Sequence, residues 1–128
     1  MKKITKIAVI YSATRKTDEA LFRVNEIIES SNSEVILSTN IKKLNTETIK
    51  KASKAELILV LGGDGTMIGS IRNLHSLNVP FLGINSGTVG FLTDLSLSKI
   101  EKLKDILQGY YLKESRPVFE AYSSIKKK

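Results

Sequence analysis

The chain reads as an α/β protein, an open and mostly parallel sheet with helices against it. Two observations predict this. Short apolar runs of strand length alternate with stretches whose apolar residues recur at helical spacing. Two of those runs lead directly into glycine-rich turns, LGGDGTM after residue 60 and GINSGTVGFLTD after residue 82.

Taken in order, residues 7–11 (IAVIY) form the first strand, and residues 18–29 a helix with Leu21, Val24, Ile27 and Ile28 on one face. A second strand is expected at 34–38 and a short helix between 45 and 53. Residues 57–61 (LILVL) are continuously apolar between a charge and a glycine, as in a strand buried on both faces. Beyond the glycine turn, Met67, Ile68, Ile71 and Leu74 mark another helix, with His75 on its face. Residues 79–84 (VPFLGI) give the next strand, followed by a permissive loop of Asn85, Ser86, Gly87, Thr88 and Gly90. After Asp94, Ser98 and Glu101 have capping-box spacing, Ile100, Leu103, Ile106 and Leu107 form a buried stripe, and Gly109 ends the helix. Residues 110–123 change character to an extended, aromatic-rich stretch.

At 128 residues there is room for one real core but not for two full domains. The expected division is an α/β nucleotide-binding domain at 1–109 and the start of a truncated second domain at 110–128. Without cysteine, disulfides and thiolate metal sites are excluded. The basic start has a brief apolar run without a cleavage site, and no stretch could span a membrane, so a cytoplasmic location is expected. The formal net charge of +7 invites a nucleic-acid partner, yet the lysines are scattered and aromatic residues few, so no specific nucleic-acid binding is expected.

Chemistry concentrates in the two glycine turns. A glycine-rich turn between a strand and a helix start lets the backbone approach a ligand, while free N–H groups and the helix dipole favour an anion. Asp64 is the odd member, since a carboxylate repels phosphate. It could accept a proton from an attacking hydroxyl, hold a magnesium ion bridging phosphates, or cap the following helix. Phe91 could stack on a purine base or anchor its loop in the core. The G-x-x-x-x-G-K-[ST] pattern is absent, and Gly63, Gly65 and Gly69 miss G-x-G-x-x-G by one residue.

At these two segments the chain resembles the NAD kinase family, whose GGDGT motif is matched by residues 62–66 and whose G-I-N-x-G-x-x-G-F-L-T-D motif is matched by residues 83–94. The second motif separates this family from lipid kinases and phosphofructokinases with similar first turns. The resemblance implies a Rossmann-like amino-terminal domain and transfer of the terminal phosphate of ATP, or of polyphosphate, to the 2′-hydroxyl of the adenosine ribose of NAD. Asp64 would activate that hydroxyl. Gly63, Gly65 and Thr66 would lie along phosphates and ribose, Phe91 and Leu92 would contact adenine, and Asn85 would support the loop. Relatives often carry Tyr where Leu92 stands. An ordinary aspartic acid, with a pKa of about 3.9, is a weak base toward a sugar hydroxyl, so proton transfer must be late or assisted by a divalent cation such as magnesium.

In the family, the stretch around Arg116 leads into an all-β domain that completes the NAD site. The chain is therefore expected to be an amino-terminal fragment with negligible turnover alone, whose site a separate carboxyl-terminal half could restore, and to self-associate through an unfinished strand at 118–122. Other readings are a non-catalytic nucleotide-binding or partner module, a remnant of an interrupted gene, and a lipid kinase-like domain.

Overall fold

The computed structural model describes residues 2–85 and 95–111. Within them, five parallel strands form one sheet in the order β2-β1-β3-β4-β5. The strands are β1 (Lys6–Tyr11), β2 (Glu34–Asn40), β3 (Leu57–Leu61), β4 (Phe81–Asn85) and β5 (Leu95–Ser96). The helices are α1 (Arg15–Ser30), α2 (Thr46–Ala52), α3 (Asp64–Leu74) and α4 (Lys102–Leu107). The predicted α/β architecture is the observed one.

The alternation of side chains along each strand builds two apolar layers, one on each side of the sheet. Ile7 and Val9 of β1 and Leu57, Leu59 and Leu61 of β3 face α1 and α4, where Val24, Ile27, Ile28, Leu103 and Leu107 meet them. Ala8, Ile10, Ile58 and Val60 face the other way, onto Ala52 of α2 and Met67 and Leu74 of α3. All five residues of β3 are buried, which explains the continuous LILVL run.

Local chemistry sets the helix ends. Helix α1 starts three residues earlier than its apolar stripe suggested, because the Thr14 hydroxyl accepts the Thr17 N–H and caps it. Its last turn closes when the Ser33 N–H donates to the Ile28 carbonyl and the Asn32 N–H to that of Glu29, with Asn32 at φ +58°. That pair of bonds is a Schellman closure. Helix α4 ends the same way at Gly109 (φ +105°), as its position in the sequence predicted. Helix α2 carries a reciprocal box between Asn45 and Thr48.

The capping box expected of Ser98 and Glu101 does not form. Residues 97–99 make a 3-10 turn, α4 begins only at Lys102, and the Ser98 hydroxyl hydrogen-bonds that of Ser96 at 2.9 Å. Glu101 is engaged instead by Arg23 of α1 at 2.6 Å and by Lys104 at 3.0 Å. The Lys104 ammonium, then Arg23, hold its carboxyl below the usual carboxylate range. Strand β2 also runs two residues beyond its expected end, because it stays paired with β1 through Tyr11 and Asn40. A bulge at Ile36 absorbs the register shift between Ile7 and Ala8.

The expected second-domain stretch beyond Tyr111, with Arg116 and the strand at 118–122, lies outside the described residues. Tyr111 itself packs against the α1–α4 layer, its hydroxyl donating to the Lys2 carbonyl at 3.3 Å.

Candidate functional site

The glycine turn after β3 is tighter than its sequence suggested. Gly62 and Gly63 alone connect the strand to α3, and Asp64, Gly65 and Thr66 already form the first helical turn. Gly62 is the residue for which left-handed freedom matters, at φ +151°. Its N–H donates to the Ile84 carbonyl at 3.1 Å, which ties the turn to β4. A Cβ here would lie 2.6 Å from Thr66 Oγ1 and 3.0 Å from Ser12 Oγ, so the space beside Gly62 is already filled.

Gly63 and Gly65 are different. Gly63 has φ −99° and ψ −166°, an extended conformation open to any residue, and Gly65 is helical. A Cβ added to either would meet no atom of the described residues within 4 Å. At position 63 glycine is itself a favoured N-cap residue, whereas at position 65 neither backbone geometry nor packing among the described residues accounts for it. Gly63 occupies the N-cap position, where Ser, Asp or Asn would add a side-chain hydrogen bond that glycine does not make. Gly65 sits where alanine would favour helix by about 1 kcal/mol.

Asp64 lies between them, half-buried at the first helical position. It is not the N-cap, so of its three sequence-level roles simple capping is not realised, although its charge still suits the positive end of α3. Asn85, at the carboxyl end of β4, is 4% exposed and sits one strand over from the glycine turn. Phe91 and Leu92 lie outside the described residues. His75 is exposed in the 3-10 turn that follows α3.

Strand order explains why these residues share one edge. In an open α/β sheet, ligands settle beyond the carboxyl ends of the strands where neighbouring connections depart to opposite faces. Here that point lies between β1, whose chain leaves for α1, and β3, whose chain leaves for α3 on the other side. The β1–α1 connection is therefore part of the site. Ser12 donates its N–H to the Leu61 carbonyl at 3.2 Å and lays its side chain against Gly62. Sequence reasoning passed over Ser12. The signal lay in the run of small residues Ser12, Ala13 and Thr14 directly after the first strand.

Residues 5–111 match the family model of the ATP-NAD kinase N-terminal domain. The chain belongs to the NAD kinase family. It is 36% identical over 97 residues to the NAD kinase of Hahella chejuensis, covering 75% of this chain and 32% of that protein. It is 42% identical over 115 residues to the NAD kinase of Colwellia psychrerythraea, covering 86% of this chain and 38% of the relative. The chain thus spans about a third of the length of the curated relatives it matches. Among solved structures, a flavodoxin from the domain Archaea superposes with a TM-score of 0.53 at 16% identity, covering 80% of this chain and 96% of the flavodoxin. The rubredoxin oxygen:oxidoreductase of Desulfovibrio gigas gives 0.52 at 14% identity, over 98% of this chain and 35% of that one. At such identities the likeness is one of fold, and it agrees with the β2-β1-β3-β4-β5 order. As a NAD kinase-family domain, the chain carries the GGDGT motif on the carboxyl edge of its sheet. Among the described residues no helix is long and apolar enough to cross a membrane.

Proposed function

We propose that this chain supplies the nucleotide-binding half of a NAD kinase, which transfers the terminal phosphoryl group of ATP to the 2′-hydroxyl of the adenosine ribose of NAD. One observation carries the reading. Among the described residues, nothing fills the space where a Cβ of Gly63 or Gly65 would stand on either side of Asp64, and at Gly65 an alanine would favour the helix. A ligand whose backbone approach needs that space accounts for the glycines. An anionic one suits the positive end of the 11-residue helix that starts at Asp64.

In the reaction, the ribose oxygen forms a bond to the γ-phosphorus while the bond from that phosphorus to the bridging oxygen breaks and ADP departs. The hydroxyl proton passes to the Asp64 carboxylate. Phosphoryl transfer depends mainly on alignment and charge neutralisation, so the work of the protein is to hold the two nucleotides in line. A divalent cation such as magnesium neutralises phosphate charge when bound. Phe91 and Leu92 are proposed for the adenine and Asn85 for support of their loop. NAD and ATP are the partners in this reading, with a carboxyl-terminal half or a second copy completing the pocket, in the cytoplasm.

Because residues 5–111 correspond to one domain of the family, binding is the direct readout. Calorimetric titration of NAD and of ATP should give saturable heats, and Gly65→Ala should weaken both at least about tenfold by filling the open space. Unchanged affinity in Gly65→Ala would refute the reading.

A further inference from the structure

Two hydroxyl groups from separate segments meet beside Gly62. Ser12 Oγ, from the β1–α1 connection, and Thr66 Oγ1, from the first turn of α3, lie 3.0 and 2.6 Å from the point where a Gly62 Cβ would stand. Both side chains are half-buried, and neither hydroxyl has a hydrogen-bond partner among the described residues. They sit where β1 and β3 send their chains to opposite faces of the sheet, and the Ser12 N–H bond to Leu61 fixes the distance between the two connections. Ser12 lies outside the GGDGT motif and outside the second glycine segment, so neither motif assigns it a role.

We propose that Ser12 is a further binding residue of this site, its hydroxyl acting with that of Thr66 to donate to phosphate oxygens of a nucleotide lying across the β1/β3 gap. This rests on the nucleotide-binding reading above. Hydroxyls suit the task because each can rotate its proton toward an acceptor, and a hydrogen bond to a charged oxygen is among the stronger ones a protein makes. Arg15, exposed at the start of α1 in the same connection, adds positive charge nearby.

The test titrates the chain and its Ser12→Ala, Ser12→Thr and Thr66→Val variants with ATP and with inorganic triphosphate, and records a thermal melt of each. Ser12→Ala should weaken both ligands about five- to tenfold with an unchanged melting temperature. Ser12→Thr should restore binding, and the double variant should show coupling between the two hydroxyls. Unaltered affinity in Ser12→Ala overturns the proposal. So does a loss of binding that tracks a lowered melting temperature, since Ser12 would then only brace the turn. If the unaltered chain binds neither ATP nor NAD, the nucleotide reading itself falls and Ser12 with it; binding by the unaltered chain together with an indifferent Ser12→Ala removes Ser12 alone.

Discussion

One oxygen of Glu56 accepts two hydrogen bonds from Thr5, from its backbone N–H and from its hydroxyl, each at 2.7 Å. The Lys6 N–H adds a third at 3.1 Å, and Lys2 stands 3.6 Å from the other oxygen. The residue just before β3 therefore clasps the start of β1 at the end of the sheet opposite the glycine turn.

That clasp makes stability depend on acidity. The Thr5 N–H and hydroxyl, then the Lys6 N–H and the Lys2 charge, lower the Glu56 pKa from 4.5 to about 2 against a smaller desolvation effect. A carboxylate depressed in the folded state stabilises it fully above pH 4.5, and the contribution is lost as pH falls from there toward 2. Allowing for solvent around this partly exposed group, Glu56→Gln should cost about 1 kcal/mol at pH 7. Urea denaturation across pH 2 to 7 should show the gap between the two proteins closing toward the acid end; a gap independent of pH would contradict the assignment.

The glycines of the turn should separate stability from binding. Gly62→Ala forces a side chain into a left-handed backbone and against two hydroxyls, and should destabilise by about 1–3 kcal/mol. Gly65→Ala should leave stability unchanged or raise it by up to about 1 kcal/mol while nucleotide affinity falls. Melting curves and calorimetry on the same samples decide it.

Asp64→Asn should keep NAD affinity within about threefold, since the amide is isosteric and the role proposed for the carboxylate is in the chemistry. Where the domain is assembled into an active kinase, turnover should fall by a factor of about 100 or more. Full activity in that variant would dismiss Asp64 as the proton acceptor. Loss of NAD binding along with the native circular dichroism spectrum would show a broken fold instead.

At the end of α1, Asn32 holds φ +58°. Asn32→Ala should cost about 1 kcal/mol and Asn32→Gly should be tolerated, because the left-handed conformation penalises a Cβ that asparagine offsets with local hydrogen bonding. Equal losses in both variants, measured by denaturant midpoint, would point to the side chain rather than the backbone.

Much of this architecture was legible because local and long-range preferences agree. LILVL could only be a strand covered on both faces, and Val24, Ile27 and Ile28 could share a helical face only by packing inward. Gly109 announced its Schellman turn. What failed was chemistry with competing partners. Ser98 and Glu101 have the spacing of a box, but Arg23, 78 residues away, bonds the glutamate, and nothing in local sequence reveals that neighbour. The start of α1 was hidden because its first turn carries charge rather than apolar residues, and only the Thr14 cap marks it. The GGDGT motif falls at the strand-to-helix turn where its sequence placed it, whereas the position of Ser12 beside that turn became visible only once strand order put β1 beside β3.

The sheet is also a partition. Leu103 and Leu74 are both fully buried, yet they belong to apolar layers on opposite sides of a hydrogen-bonded lattice that neither side chain crosses. Trimming either to alanine should cost about 2–5 kcal/mol, and the two losses should add, each void being walled off from relaxation on the other side. Such insulation lets α1 and α4 accumulate substitutions without disturbing α2 and α3 across the sheet, so the two halves of the interior are free to drift at separate rates.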